Sequence, residues 1–228
     1  MVGFLPLEFV RSQGDGDVKT LFLSDTAMVP SEIPANCLFI HKQNATLADF
    51  LELLTIFDAS FTDEQCAVVI FALGTYDISL PEKQLEFNQI TQTLDFHVSR
   101  NKNNRYISQL FEVLVKAASE FDNFSRVISI DPMARTSSGF HNNAVDYISR
   151  RVNRVCDKHV HLETNRRYVK DLKKARQRRE RFELREDRFD ADGLLLESER
   201  QLLTTAALRA VESDTDVVVN DAFFAQKW

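Results

Sequence analysis

The feature that most constrains the fold is a set of short, continuous apolar runs separated by amphipathic stretches. The clearest run is CAVVIFAL at residues 66–73, which is aliphatic and β-branched and ends at Gly74. Continuous apolar runs of this length are typical of strands that are buried on both faces, as in parallel sheets. The alternation of such runs with helical periodicity predicts an α/β fold with a mainly parallel sheet.

Five strands are predicted in this way, at residues 18–24, 37–41, 66–73, 126–132 and 159–162. A capping box of Thr46 and Asp49 predicts a helix after the second strand, and a second box of Ser198 and Gln201 predicts the last helix. Helical patterns also cover residues 81–100, 105–121 and 144–155. We therefore expect one domain over residues 1–212, with a basic helical insertion at about 165–188 and an apolar tail at 213–228.

Composition narrows the function classes. Hydrophobic residues make up 44% and charged residues 27% of the 228 residues, which is enough for a sizeable core. The three cysteines, Cys37, Cys66 and Cys156, have neither disulfide-framework nor zinc-site spacing, so we expect buried thiols and no metal. No phosphate-binding glycine motif occurs, so we expect no cofactor. Without a basic leader or a long apolar stretch, the chain is expected to be cytoplasmic, with the nucleus as the alternative, and not secreted or membrane-spanning.

Polar motifs follow the predicted strands at the positions where an open parallel sheet binds its ligands. Ser24-Asp25-Thr26 follows the first strand, Asn44-Ala45 follows the second, and Gly74-Thr75-Tyr76-Asp77 follows the third. Asp192-Gly-Leu-Leu195 precedes the last helix. In order and spacing, these four motifs resemble the SGNH (GDSL-like) hydrolase family over roughly residues 18–212. The resemblance implies a flavodoxin-like three-layer sandwich, with about five parallel strands and helices on both faces.

The same resemblance implies a role for each position. The nucleophilic serine of the family corresponds to Thr26, which follows Asp25. The glycine whose backbone N–H contributes to the oxyanion hole falls near Asn44 or Ala45, and the oxyanion asparagine after Gly74 falls on Tyr76. The general base falls on Leu195, whereas its partner Asp192 is retained.

These substitutions predict a pseudo-hydrolase, because leucine cannot accept a proton and tyrosine does not imitate an asparagine amide. Loss of a nucleophile or base costs such a triad about 10⁴-fold to 10⁶-fold in rate. Two alternatives stay open at this point. One is a diverged esterase with a relocated base, for which His41, His141, His159 and His161 are candidates. The other is a different doubly wound fold whose strand ends imitate the motifs.

The basic insertion predicts a partner. Between Arg150 and Arg188 the chain carries 15 Lys/Arg and 7 Asp/Glu, although its overall net charge is −6. We expect a helix that contacts RNA or another polyanion, as in the SGNH-like domain of the germ-plasm organiser Oskar, to which the chain is similar in kind. The alternatives for the basic helix are neutralisation by acidic residues of the chain itself or of a protein partner, and contact with an anionic membrane. The apolar tail with Phe223, Phe224 and Trp228 is a second place for protein contact. The basic candidates are Arg166, Arg167, Lys170, Lys173, Lys174, Arg176, Arg178, Arg179 and Arg181.

Overall fold

A computed structural model describes six stretches of several residues and a few isolated positions. The stretches are residues 9–58, 68–78, 126–136, 159–162, 168–171 and 182–212, and the isolated positions are 145, 148 and 149. All structural statements below concern these residues.

The core of the molecule is a six-stranded sheet with the order β1-β3-β2-β4-β5-β6. Its strands are β1 (Val10–Gln13), β2 (Thr20–Ser24), β3 (Cys37–His41), β4 (Val68–Ala72), β5 (Arg126–Ile130) and β6 (His159–Leu162). The last five run parallel, and β1 adds an antiparallel edge strand to β3. Leaving β1 aside, the parallel strands have the 2-1-3-4-5 order of flavodoxin-like folds. The predicted fold class and all five predicted strands are confirmed.

Two apolar clusters, one on each face of the sheet, make the fold a three-layer sandwich. Helix α1 (Leu47–Asp58) contributes Leu47, Phe50, Leu53 and Leu54 to the cluster that contains Leu21 and Leu23. Helix α2 (Glu197–Glu212) contributes Leu203, Ala206, Ala207 and Ala210 to the cluster on the opposite face, with Phe22 and Phe39. Successive strand side chains alternate between these clusters because the side-chain period of a strand is two.

The two predicted capping boxes have different outcomes. At α1 the prediction is confirmed: the Thr46 N–H donates to Asp49 Oδ2 over 2.7 Å, and the Asp49 N–H donates to Thr46 Oγ1 over 3.3 Å. At α2 the prediction is wrong, since the helix already begins at Glu197 and Ser198 lies inside its first turn. The N–H groups of Glu199 and Arg200 both donate to the carbonyl of Leu196, so the helix starts two residues earlier than predicted.

A basic helix was predicted at 165–188. The structure describes residues 168–171 and 182–188 of this segment, and most of them are not α-helical. Strand β7 (Val169–Asp171) pairs antiparallel with β8 (Phe182–Leu184), and a short 3-10 helix follows at Glu186–Arg188. Lys170 therefore lies in a β-hairpin, paired in register with Glu183. The segment has few apolar residues at helical spacing, so strand pairing overrides the helical pattern of its charges.

Tyr168 anchors this hairpin to α2. Its side chain is fully buried, and its hydroxyl donates to Glu199 Oε2 over 3.3 Å. The Arg188 guanidinium donates to the other oxygen of the Glu199 carboxylate. One buried carboxylate therefore joins both ends of the hairpin segment to the first turn of α2.

Several predictions fall outside the described residues. They are the helices at 81–100 and 105–121, two of the cysteines (Cys66 and Cys156), His141, the tail at 213–228 with Phe223, Phe224 and Trp228, and every basic candidate except Lys170. Within the described part of the chain, no helix has the length and apolar character that crossing a membrane requires. The same residues hold no group of three or more His, Cys, Asp or Glu side chains placed to bind a metal ion.

Candidate functional site

The carboxyl ends of β2, β3 and β4 bring three of the four predicted motifs together. The Asp25 N–H donates to the carbonyl of Ala72 at the end of β4, over 3.2 Å. The Asn44 N–H, after β3, donates to the carbonyl of Asp25 over the same distance. These bonds continue the sheet beyond the strands. We call the region formed by residues 24–26, 41–46 and 74–77 the carboxyl edge.

The side chain of Asp25 joins β2 to the turn that follows β4. Its Oδ2 accepts the N–H of Thr75 at 2.7 Å and the N–H of Tyr76 at 3.3 Å. Thr75 and Tyr76 begin a helical turn directly after Gly74, which has a φ of 94°. Asp25, which follows β2, thus caps the helical turn that follows β4. The cap is favourable because the first N–H groups of a helix have no acceptors within the helix.

Burial dominates the electrostatics of Asp25. The carboxyl is 1% exposed, and desolvation raises its pKa from 3.8 to about 7, with the nearby Asp77 carboxylate adding to the effect. The backbone N–H donors lower the pKa and offset part of this rise. Its other oxygen, Oδ1, is buried and has no hydrogen-bond partner among the described residues.

A second buried carboxyl, Asp77, holds the start of α1. Its Oδ2 accepts the N–H of Leu47 at 2.9 Å, so it caps α1 across 30 positions of sequence. Desolvation raises the pKa of Asp77 to about 6, and the carboxylate of Asp49 acts in the same direction. Asp49 itself lies 3.7 Å from the Lys42 ammonium.

Thr26 occupies the nucleophile position, and its hydroxyl has a thioether as acceptor. Thr26 Oγ1 lies 3.7 Å from Met133 Sδ and 3.4 Å from Ser24 Oγ. No carboxylate or imidazole of a described residue makes a hydrogen bond to this hydroxyl. A thioether sulfur is a weak acceptor and not a base, so within the described residues nothing activates Thr26 as a nucleophile.

Two backbone amides that could stabilise an oxyanion are already hydrogen-bonded. The Thr26 N–H donates to Ser24 Oγ at 3.1 Å, and the Asn44 N–H donates to the Asp25 carbonyl. Asn44 nevertheless has a φ of 62°, the left-handed conformation that a glycine adopts readily. Asn44 therefore has a backbone conformation that suits the glycine of the family resemblance. Its N–H group, however, is already bonded and is not available to an oxyanion.

The base position is part of the core. Leu195 is 1% exposed and belongs to the same apolar cluster as Met133, the residue that contacts Thr26. Asp192, three positions earlier, is exposed and lies in a turn. The carboxylate of Asp190 holds this turn, since Asp190 Oδ1 accepts the N–H groups of Asp192 and Leu194. Gly193 has a φ of 73°, and a Cβ there would lie 2.1 Å from Thr136 Oγ1, so the turn packs closely on the loop after β5.

Among the histidines that the structure describes, His41 lies at the carboxyl edge. It pairs in register with Ser24, and strand alternation puts both side chains on the α2 face of the sheet. Its Nδ1 is buried without a hydrogen-bond partner among the described residues, and desolvation lowers the pKa of the imidazole. His159 and His161 lie in β6, away from β2.

Sequence reasoning missed the roles of Ser24, Asp77 and Met133 at this edge. The position of Ser24 and Asp77 directly after strands was an available signal. The contact of Met133 with Thr26 depends on residues 107 positions apart and has no local signature. Of the basic candidates, Lys170 lies in β7 and not on a helix face.

Comparisons with known proteins give a fold relationship. No protein-family model matches the chain, and neither does any curated protein sequence. Among solved structures, the chain is similar to a catalytic mutant of Axe2, an acetylxylan esterase from Geobacillus stearothermophilus. The TM-score is 0.55 at 14% identity, covering 87% of this chain and 95% of that one. It is also similar to a protein from Streptococcus pneumonia assigned as a platelet activating factor, with a TM-score of 0.53 at 11% identity, covering 87% and 85%.

The Axe2 structures include catalytic mutants in which one serine, one aspartate or one histidine is replaced by alanine, the last two being three positions apart. At 11–14% identity, the similarity to these structures shows a shared fold and nothing more. The shared fold is consistent with that of SGNH-like hydrolases. The predicted function, a catalytically inactive module that binds RNA or acts as a scaffold through a basic helix, is wrong. Solved structures that share the fold include acetylxylan esterases, and the described part of the segment predicted as a helix contains a β-hairpin. The separate prediction that the chain is a pseudo-hydrolase is tested by none of the comparisons and stays a prediction. Nothing found supports the likeness to Oskar.

Proposed function

We propose that the carboxyl edge is a binding site for a small acyl ester. The observation that carries this proposal is the Asp25 carboxyl, which ties residues 24–26 to the helical turn after Gly74. The framework that positions three of the four motifs thereby lies at the edge where open parallel sheets bind ligands. The esterase structures of the same fold supply the ligand class.

Thr26 is the residue proposed to meet the ester. Its hydroxyl donates to a sulfur atom 3.7 Å away, and a carbonyl oxygen is a better acceptor than a thioether. An ester carbonyl at this point exchanges a weak hydrogen bond for a stronger one, without breaking the Ser24 and Asp25 bonds that hold the edge. The side of the ligand that faces Met133 and Leu195 would be apolar, because both residues belong to the apolar α2-face cluster.

We further propose that the bound ester is not hydrolysed by a Ser-His-Asp mechanism. Leu195 at the base position supports this, as do the occupied N–H groups of Thr26 and Asn44. Loss of one oxyanion donor alone costs such a mechanism about 10²-fold to 10³-fold in rate.

The binding proposal is tested by NMR titration with ethyl acetate, an ester that is stable on the time scale of the experiment. We expect saturable shifts of the Thr26, Asn44 and Tyr76 amides, with the Glu183 amide of β8 unchanged. Thr26→Val keeps the shape of the side chain and should weaken the binding several-fold, whereas Thr205→Val on the exposed side of α2 should have no effect. Shifts that are non-saturable, or that spread evenly over the protein, would refute the proposal.

A second candidate function is a diverged esterase that uses His41 as its base. The observation in its favour is the buried, unsatisfied Nδ1 of His41 beside Ser24, in an imidazole whose pKa is lowered and which is therefore neutral at pH 7. This candidate predicts ester turnover that disappears in His41→Ala and persists in His159→Ala.

A further inference from the structure

Two buried carboxyls connect three elements at the carboxyl edge. Asp25 binds the first N–H groups of the helical turn after Gly74, and Asp77, on that same turn, binds the first N–H of α1. The end of β2 is thus joined to α1 through one helical turn and two carboxyl groups. Both side chains are at most 6% exposed, so water does not screen them.

Burial favours a protonated Asp25 carboxyl, and it outweighs the backbone N–H donors, which favour the ionised form. One oxygen, Oδ2, accepts two backbone N–H groups, whereas the other oxygen is buried without a hydrogen-bond partner among the residues that the structure describes. In the protonated form, Oδ2 is the carbonyl oxygen and Oδ1 carries the proton, and a buried O–H without an acceptor costs less than a buried unpaired charge. In the ionised form, an uncompensated part of the charge is left on Oδ1 inside the protein, and this is costly.

The surrounding charges increase this cost. The Asp77 carboxylate raises the pKa of Asp25, and the Asp49 carboxylate on α1 raises the pKa of Asp77. The Lys42 ammonium after β3 is paired with Asp49 at 3.7 Å. On the β5 side the next carboxyl is Asp131, which is 1% exposed.

We propose that Asp25 and Asp77 form a proton-controlled joint, which holds the end of β2 to the turn after Gly74 when Asp25 is protonated and releases it when Asp25 ionises. A carboxyl with a raised pKa in the closed state stabilises that state fully below its ordinary pKa of 3.8. This stabilisation is lost as the pH rises toward about 7, and no further change follows above that value. The joint therefore opens more often at neutral pH than at pH 5.

The test is amide hydrogen exchange of Thr75 and Tyr76 at pH 6 and pH 7.5, corrected for the pH dependence of the chemical step. In the natural protein we expect the opening constant to rise about five-fold to tenfold, since opening releases close to one proton. In Asp25→Asn the amide oxygen still accepts both N–H groups without a charge. The rise should then fall to about twofold or less, which is what Asp77 alone contributes.

Asp192→Asn is the matched control, because it removes an exposed carboxylate in another turn and should keep the natural rise. Asp77→Asn tests the coupling independently of whether Asp25→Asn folds. Removing the Asp77 charge lowers the pKa of Asp25, so the rise between pH 6 and 7.5 should become smaller. A change below twofold in the natural protein, a natural rise in Asp25→Asn, or an unaltered rise in Asp77→Asn would overturn the proposal.

Discussion

Replacement of Leu195 by alanine tests whether this position, at which the family has its catalytic base, belongs to the hydrophobic core or to a functional site. The side chain is 1% exposed, and its apolar cluster includes Met133, Phe189 and Leu203. Burying a leucine contributes about 1.5 to 3 kcal/mol, and the cavity left by truncation brings the loss to about 2 to 5 kcal/mol. For a chain of this length, a loss of about 3 kcal/mol lowers Tm by about 6 to 12 °C.

Thermal and urea unfolding, followed by circular dichroism, measure this loss. Leu195→Met keeps the volume and should cost less than about 1.5 kcal/mol. Leu194→Ala, one residue earlier and half-buried, is the positional control and should cost clearly less than Leu195→Ala. If Leu195→Ala costs under about 1 kcal/mol, or no more than Leu194→Ala, the side chain does not support the core, and the reasoning that position 195 is closed to chemistry fails.

Two further predictions concern the backbone at Asn44 and the anchor at Tyr168. Asn44→Ala should lower the free energy of unfolding by about 1 kcal/mol, because alanine tolerates a φ of 62° poorly. Asn44→Gly should change the free energy of unfolding by less than about 0.5 kcal/mol. Equal urea midpoints for the two variants would contradict this prediction. Tyr168→Phe removes a donor to the buried Glu199 carboxylate and should destabilise the protein by about 1 to 3 kcal/mol in chemical unfolding. The same loss should not add again in a Glu199→Gln background, and full additivity would show that the two groups act independently.

The sheet could be predicted from sequence because its strands are continuous apolar runs. Strands β3 and β6 were predicted to the residue, at 37–41 and 159–162. Strand β1 was missed, since Val10–Gln13 is polar and mostly exposed and owes its conformation to pairing with β3. The β7–β8 hairpin was missed for a related reason: its charges follow a helical pattern, and its strands form by pairing with each other.

The candidate site could be located from sequence, but its hydrogen bonds could not. Polar residues after β2, β3 and β4 were expected at one edge because parallel strands end together. The cap that Asp25 provides joins residues 50 positions apart, and the Thr26–Met133 contact spans 107. That the Thr26 and Asn44 amides are already bonded likewise depends on the folded backbone and on the rotamer of Ser24.

Hydrolysis of short-chain acyl nitrophenyl esters tests the central claim most directly. If the carboxyl edge binds esters without a base at Leu195, the natural protein and Thr26→Ala should give the same rate as buffer alone, from pH 6 to pH 8.5. Turnover by the natural protein that disappears in Thr26→Ala would contradict the claim and show that the Thr26 hydroxyl is an activated nucleophile.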